Sequence, residues 1–522
     1  MRGDGHSVAP NIYSQMRDLP YPGCMFTSAV QPSGAGHMFE HLITFQARYR
    51  PEAIALTTPA GNVTFGALDA DVNRVAGRLA GVTPKGARVA VQVAGSGLHW
   101  VMLLALTRLG CVTASLPLVG ERSEADLISV LRPDLLLTDR TPSADVRSFQ
   151  LSPEWLQETF RSAANPVENH DFAPDDPVRI VMSSGTTGRP KRMVMTRRMV
   201  DARIRTGGLS QMGHRRIHAA VGLDTETGFR APLVAWATGL PALYPQAGFR
   251  WADFVLTTRP QALVLVPAQL DGLLASLPPD FPLQPDLRLI VVSGALTGAL
   301  FESARTKLTP DIFVTYGSTE AGLAAQASPS LLSSGEALTG VVSPSAEVQV
   351  VDDHDAQVPW GALGRVRVRT EEMVTGYLDD EALTAQFFRD GWFYPGDLGA
   401  LSATGRLTVQ GREAEILDLG GLRIAPDAIE AALLTCPGVR DAAAFSVTSA
   451  QGVHQPRAAV VCEGACDLEV VKALVRRALP QLDIPLVVMN AIPRSERGKI
   501  DRGAVRREMM LMAYCRPAET PN

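Results

Sequence analysis

The residues most suited to chemistry are the nine from Ser183 to Lys191, which read Ser-Ser-Gly-Thr-Thr-Gly-Arg-Pro-Lys. Gly185 and Gly188 allow backbone N–H groups to approach a ligand with no Cβ in the way. Ser183, Ser184, Thr186 and Thr187 supply hydroxyls, and Lys191 supplies positive charge. Such a loop suits the phosphates of a nucleotide. It is not the ordinary P-loop, which has four residues between its glycines and a Ser or Thr after its lysine. Here Thr186 and Thr187 alone separate the glycines, and Arg192 follows the lysine.

Four further segments carry polar groups in ordered settings. They are Tyr316-Gly317-Ser318-Thr319-Glu320, and Gly391-Trp392-Phe393-Tyr394-Pro395-Gly396-Asp397. Then come Gly411-Arg412 with Gly420-Gly421-Leu422-Arg423-Ile424-Ala425-Pro426 and Glu430, and finally the run from Pro493 to Arg502 around Lys499. Lysine is rare: Lys85, Lys191, Lys307, Lys472 and Lys499 are five of 49 basic residues. A lysine kept in an arginine-biased chain suits a compact point charge, which a guanidinium does not imitate. Lys191 and Lys499 both fall in motif-like settings.

The elements that must position these groups follow from hydrophobic periodicity. Short apolar or β-branched runs at 88–94, 135–137, 179–182, 262–266, 289–292 and 312–315 alternate with helical patterns such as 65–79 and 100–109. That is an α/β pattern with largely parallel sheets. Short alternating strands at 347–351, 364–369 and 405–409 predict a β-rich subdomain, and helices at 425–434 and 468–479 a last α+β domain. The fold expected is α/β: a large N-terminal domain of βα sheets with a small β-rich subdomain, and a small α+β C-terminal domain. The boundaries expected are a loosely ordered extension over 1–38, a core over 39–411 and a last domain over 412–522. A chain of 522 residues exceeds one core. Its net charge of −5 leaves no electrostatic footprint for nucleic acid. Six scattered cysteines argue against a disulfide framework or a zinc site. With no signal peptide and no apolar run of transmembrane length, a cytoplasmic protein is expected.

In these five segments the sequence resembles the adenylate-forming superfamily of acyl-CoA synthetases, peptide-synthetase adenylation domains and luciferases. The resemblance spans roughly 39–505, with the motifs in family order. It implies an AMP-forming ligase using ATP and Mg²⁺. A carboxylate attacks the α-phosphate of ATP to give acyl-AMP and pyrophosphate, and a thiol, usually phosphopantetheine, then displaces AMP. It also implies that 39–411 are the ATP- and acid-binding adenylation core, that 412–522 are a mobile lid carrying the catalytic lysine, and further roles. Ser183 to Lys191 would hold the β- and γ-phosphates, and Glu320 would ligate Mg²⁺. Tyr316, beside Gly317, would stack on adenine, unless it is a packed core tyrosine. Thr319 would donate to the α-phosphate, or else cap a helix starting near Ala321. Asp397 would accept from both ribose hydroxyls, with Arg412 completing the nucleotide contacts. Lys499 would reach the α-phosphate and the attacking carboxylate together, once a domain rotation brings it there. Two departures stand out: Ala414 at the expected hinge, where Asp or Lys is usual, and Pro395, where Thr is usual.

The acid is the least legible part. The resemblance implies a pocket lined by 218–240, by 292–295 with Val292 and Gly294, and by Thr315 and Leu323. Asp224 would pair with a substrate ammonium, or else cap the helix running through Ala235; Glu226 competes for the first role. Gly420-Gly421 with Pro426 looks more like the acyl-CoA synthetase form of that loop. No carrier-domain serine motif follows Lys499, so a stand-alone enzyme is expected, transferring to CoA or to a separate carrier protein. A loader of amino or aryl acids onto a carrier is the alternative, and an inactive nucleotide-binding relative a further one.

Overall fold

A computed structural model describes residues 39–514 except 119–121, 185–189, 211, 295, 333–338, 416, 419–422, 425, 449–453, 465, 480–483 and 495–499. The described residues lie in one compact unit, Phe39–Asn522. The extension expected over 1–38 lies outside the described residues.

The α/β reading is borne out, and several elements fall where periodicity puts them. The helix Phe65–Leu79 begins at Thr64, whose hydroxyl accepts from the Ala67 N–H at 3.2 Å. It buries Phe65, Leu68, Val72, Val75, Ala76 and Leu79, the apolar stripe of a 3.6-residue period. Among the described residues one sheet has six strands. In order these are Ser148–Gln150, Leu135–Thr138, Arg88–Gln92, Val112–Ser115, Pro177–Ser184 and Pro190–Thr196. The first five are mutually parallel, and the last returns antiparallel, with Ser183 opposite Lys191 and Ser184 opposite Pro190. The strand bearing Ser183 is thus folded back on the strand bearing Lys191.

A second, larger sheet holds the other half of the site. Its parallel part contains Ile217–Ala219, Ala262–Leu265, Arg288–Val291 and Ile312–Ser318. The strand expected to stop at Thr315 runs on to Ser318 and turns directly into Gly322–Ala327. This corrects the helix considered near Ala321: Thr319 lies at a hairpin tip, and Ser318 Oγ accepts from the Ala321 N–H at 3.0 Å. A register shift falls between Tyr316 and Gly317, and a bulge there re-aims the side chains beside it. A Cβ on Gly317 would lie 2.2 Å from the Gly322 carbonyl oxygen, so only glycine fits this close approach. The β-rich part is continuous with the same sheet. From Gly322–Ala327 the ladder passes through Gly340–Val342, Arg406–Arg412 and Asp397–Leu401 to Leu363–Thr370. It has its own core, including Val348, Val350, Val366, Val368, Phe393 and Leu407.

After Arg412 a short turn of 3₁₀ helix, Glu413–Glu415, leads to a further sheet of Val439–Thr448, His454–Cys462 and Leu486–Val488. The helices Pro426–Leu434 and Leu468–Ala478 cover it. Ile429, Leu433, Ala444, Val460, Val471 and Val475 are among the residues of their shared core.

Candidate active site

Two contact chains converge from these elements. The first starts at Asp397, which is buried and sits directly across the ladder from Arg412. Arg412 Nε lies 3.0 Å from Asp397 Oδ1, and its Nη1 also donates to the Pro395 carbonyl. Tyr316 donates its hydroxyl to Asp397 Oδ2 at 2.5 Å. Burial, and the Asp397 carboxylate next to it, push the Tyr316 hydroxyl well above its usual range, so it stays protonated and donates. Each carboxylate oxygen keeps a further lone pair, and these can accept from a vicinal diol. Pro395 precedes Gly396, whose φ of 79° makes the bend just before Asp397.

The second chain joins the phosphate-loop strand to Glu320. The Lys191 ammonium lies 3.7 Å from the Phe387 ring centre, 4.9 Å from that of Tyr377, and 3.4 Å from the Tyr377 hydroxyl. Tyr377 donates to Glu320 Oε1 at 3.0 Å. Burial lowers the Lys191 pKa, and the Glu320 charge opposes that shift. Glu320 is itself buried. Among the described residues no group of three or more His, Cys, Asp or Glu side chains could hold a metal. A cation at Glu320 would therefore rest on fewer than three such protein groups, with phosphate oxygens and water completing its shell. That donor set fits Mg²⁺, which keeps several waters and is held by one or two carboxylates plus substrate phosphates.

Behind Glu320 stands a buried arginine that sequence reasoning missed. Arg203, on the helix Arg197–Leu209, donates through Nη2 to the Thr319 carbonyl at 2.9 Å and to the Glu372 carbonyl at 2.9 Å. Its Nη1 is in ion-pair contact with Glu226 Oε1 at 3.2 Å, and Arg230 Nε reaches the same oxygen at 2.9 Å. The Val374 N–H donates to the Glu320 carbonyl at 2.9 Å. The backbone on both sides of the Thr319–Glu320 peptide is thus pinned.

The proposed acid-pocket residues separate into different environments. The helix cap is Thr225, whose hydroxyl accepts from the Gly228 N–H at 3.0 Å, so Asp224 is not the cap. Asp224 is half-buried, and its charge favours the protonated form of Arg179. Arg179 is fully buried, 4.1 Å from the Phe229 ring centre, and donates to the Leu223 carbonyl at 2.7 Å and to Ser115 Oγ at 2.9 Å. Ser115 Oγ also lies 2.8 Å from His99 Nε2. Burial pulls the Arg179 pKa down to about 9 and the His99 pKa down to about 3. A charged residue inside the apolar run 177–184 was the available signal for this network. Glu226, the competitor for Asp224, is occupied by Arg203 and Arg230. His218, at the start of the expected wall, belongs to the core: its Nδ1 lies 2.8 Å from the Leu243 carbonyl, and Phe249, Trp251 and Phe254 surround it.

Val292 and Leu323 are buried, Gly294 is exposed, and Thr315 Oγ1 donates to the Val291 carbonyl at 3.4 Å. Between Val292 and Gly294, Ser293 has φ of 61°, a left-handed conformation that a serine adopts at a cost. Gly185, Thr186, Thr187, Gly188, Ala295, Gly420, Gly421 and Lys499 lie outside the described residues, and of Ser184 only the backbone is described. Arg494 and Ile500, which flank the Lys499 segment in sequence, form an antiparallel bridge.

An α/β architecture with a buried carboxylate paired to an arginine, and a lysine linked through a tyrosine to a second buried carboxylate, suits a nucleotide-binding enzyme of the adenylate-forming class. The family comparison agrees: residues 43–378 match the model of the AMP-binding enzymes, and residues 428–499 that of the AMP-binding enzyme C-terminal domain. The chain belongs to the AMP-binding enzyme family. It is 26% identical over 505 residues to 4-chlorobenzoate–CoA ligase of Arthrobacter sp, covering 89% of this chain and 94% of that one. It is 27% identical over 514 residues to a probable non-canonical nonribosomal peptide synthetase, CymA, of Salinispora arenicola. That match covers 90% of this chain but only 6% of CymA. The fold is also that of ATP-bound MatB from Rhodopseudomonas palustris, with a TM-score of 0.78 and 24% identity over 90% of this chain and 99% of that one.

Proposed function

We propose that this protein is an ATP-dependent, AMP-forming ligase that activates a carboxylic acid and transfers it to a phosphopantetheine thiol, most simply that of CoA. The observation that carries the reading is the link from Lys191 through Tyr377 to Glu320, a phosphate-binding cation held beside a metal-suited carboxylate. In the first step the acid's carboxylate oxygen bonds to the α-phosphorus, and the bond to the β-phosphate oxygen breaks, releasing pyrophosphate. In the second the thiolate attacks the acyl carbon and AMP departs with the bonding pair, the thiol proton passing to solvent.

The difficulty in the first step is like charge, because a carboxylate must approach an anionic triphosphate. Lys191 and the loop 183–191 hold the β- and γ-phosphates, Asp397 with Arg412 fixes the ribose, and Thr319 donates to the α-phosphate. Glu320 would hold Mg²⁺, whose charge would offset that of the phosphates. Lys499 bridges the α-phosphate and the incoming carboxylate. Such preorganised charge, with positioning, carries most of the rate enhancement. Residues 39–411 form the core and 412–522 the lid, and the turn at Ala414 is the hinge between half-reactions. Arg412 on one side of Ala414 pairs with Asp397, and Glu415 on the other pairs with Arg502. Rotation at Ala414 therefore leaves both pairs whole. The site works in the cytoplasm; among the described residues no helix is long and apolar enough to cross a membrane.

The competing acceptor is a separate carrier protein, which the similarity to a peptide synthetase favours. Acid-dependent exchange of labelled pyrophosphate into ATP, screened over fatty, aryl and amino acids, tests the reaction; no exchange with any acid would overturn it. Mass spectrometry of the thioester formed with CoA or with a holo-carrier assigns the acceptor.

A further inference from the structure

Tyr377 is held on several sides. Its N–H donates to Thr384 Oγ1 at 2.9 Å, and the next residue, Leu378, donates from its N–H to the Arg192 carbonyl at 2.8 Å. Arg192 returns the contact, donating to the Leu378 carbonyl at 3.1 Å and pairing with Asp379 at 3.1 Å. The ring is edge-on to Phe387 and Phe388, with centroids 6.0 and 5.5 Å away. The segment carrying Tyr377 is thus stitched to the residue after Lys191, and its hydroxyl is delivered between Lys191 Nζ and Glu320 Oε1.

A lysine and a carboxylate this close in a half-buried site attract strongly, and a direct pair would satisfy both. Such a pair would also disable both, because the ammonium would face the carboxylate and not phosphate, and the carboxylate would face the ammonium and not a metal ion. In this structure the two do not pair. The tyrosine hydroxyl donates to Glu320, and the ammonium sits over the Phe387 ring.

We propose that Tyr377 is a positioning residue that keeps Lys191 and Glu320 apart, so that the phosphate-binding cation and the metal-binding carboxylate each stay available to a nucleotide–metal complex. The hydroxyl does this by occupying Glu320 Oε1 as a neutral donor, which leaves Oε2 open. The inference rests on the nucleotide reading above, although it needs no knowledge of the acid.

The test is calorimetric binding of ATP to the full-length protein, with Mg²⁺ and with Mg²⁺ chelated, for wild type and Tyr377→Phe. Phenylalanine keeps the ring contacts and removes only the hydroxyl. The variant should bind Mg·ATP about tenfold more weakly, the loss expected for one hydrogen bond to a charged group. Half-saturation with Mg²⁺ should move to correspondingly higher concentration. Binding of ATP with the metal chelated should weaken as well, because a Lys191 drawn to Glu320 no longer faces phosphate. No weakening, or weakening with Mg²⁺ alone, overturns the proposal. A second comparison uses Glu320→Gln and the double variant. The loss from removing the hydroxyl should vanish once Glu320 is neutral, and additive losses would overturn the inference. Wild type failing to bind Mg·ATP at all would instead sink the nucleotide reading, and this inference with it.

Discussion

The Tyr316 hydroxyl donates to Asp397 Oδ2 at 2.5 Å, joining the last parallel strand to an antiparallel strand four places across the same sheet. The carboxylate suited to the ribose is therefore oriented by the tyrosine suited to the base. Arg412 completes the arrangement from directly opposite.

Asp397→Asn removes the acceptor charge while keeping the shape. The ATP KM should rise about tenfold or more, since hydrogen bonds to a charged group are the stronger class. Tyr316→Phe should cost about 1.5–3 kcal/mol of stability from the same class of bond, read as a lowered Tm, with a smaller rise in KM. An unchanged ATP KM in Asp397→Asn would remove this residue from the nucleotide site.

Lys499→Ala should lower acyl-AMP formation by about 10²–10³-fold or more and leave ATP binding intact. Lys499→Arg should not restore the rate, because a planar guanidinium is a poor substitute for a compact ammonium. Pyrophosphate exchange and calorimetry separate the two effects, and normal adenylation in the alanine variant would sink the assignment.

Stability should fall as pH rises towards neutrality. Burial pushes the Glu430 carboxyl up to about 7 from an ordinary 4.5, despite Arg502 at 2.8 Å. The Asp427 carboxyl is also raised by burial, and Glu415 shares the same guanidinium. The folded state thus holds the Glu430 proton more tightly than the unfolded state. The stability it contributes is full below 4.5 and is lost as pH climbs through about 7. Melting between pH 4.5 and 8 should show this decline in wild type, and Glu430→Gln should flatten it.

Asp224 faces the field of Arg179, a cation of the protein itself. Asp224→Asn should therefore lower Tm and leave the ranking of acids in the exchange screen unchanged. A switch away from amino acids in that variant would restore Asp224 to substrate recognition.

The sequence by itself determined the reaction class, because the motifs that carry it are local. Two glycines spaced for backbone approach, a lysine after a proline, and a carboxylate after a strand carry their meaning within a few residues. It also determined the Phe65–Leu79 helix, whose cap and stripe lie in one window, and most of the parallel strands. Contacts across long sequence separations were decided only by tertiary structure. Tyr377 is 186 residues from Lys191 and 57 from Glu320, and nothing local marks its hydroxyl as their divider. Arg203 sits on a helix with no motif, yet it pins Thr319 from 116 residues away. The turn after Ser318 misled because Ser-Thr-Glu suits a helix start as well as a hairpin tip, and only pairing with Gly322–Ala327 decides between them. At Asp224 the sequence left the partner open, because a carboxylate's partner is set by which cation the fold brings near; Arg179, on a strand of the other sheet, feels its charge, and the helix cap falls to Thr225.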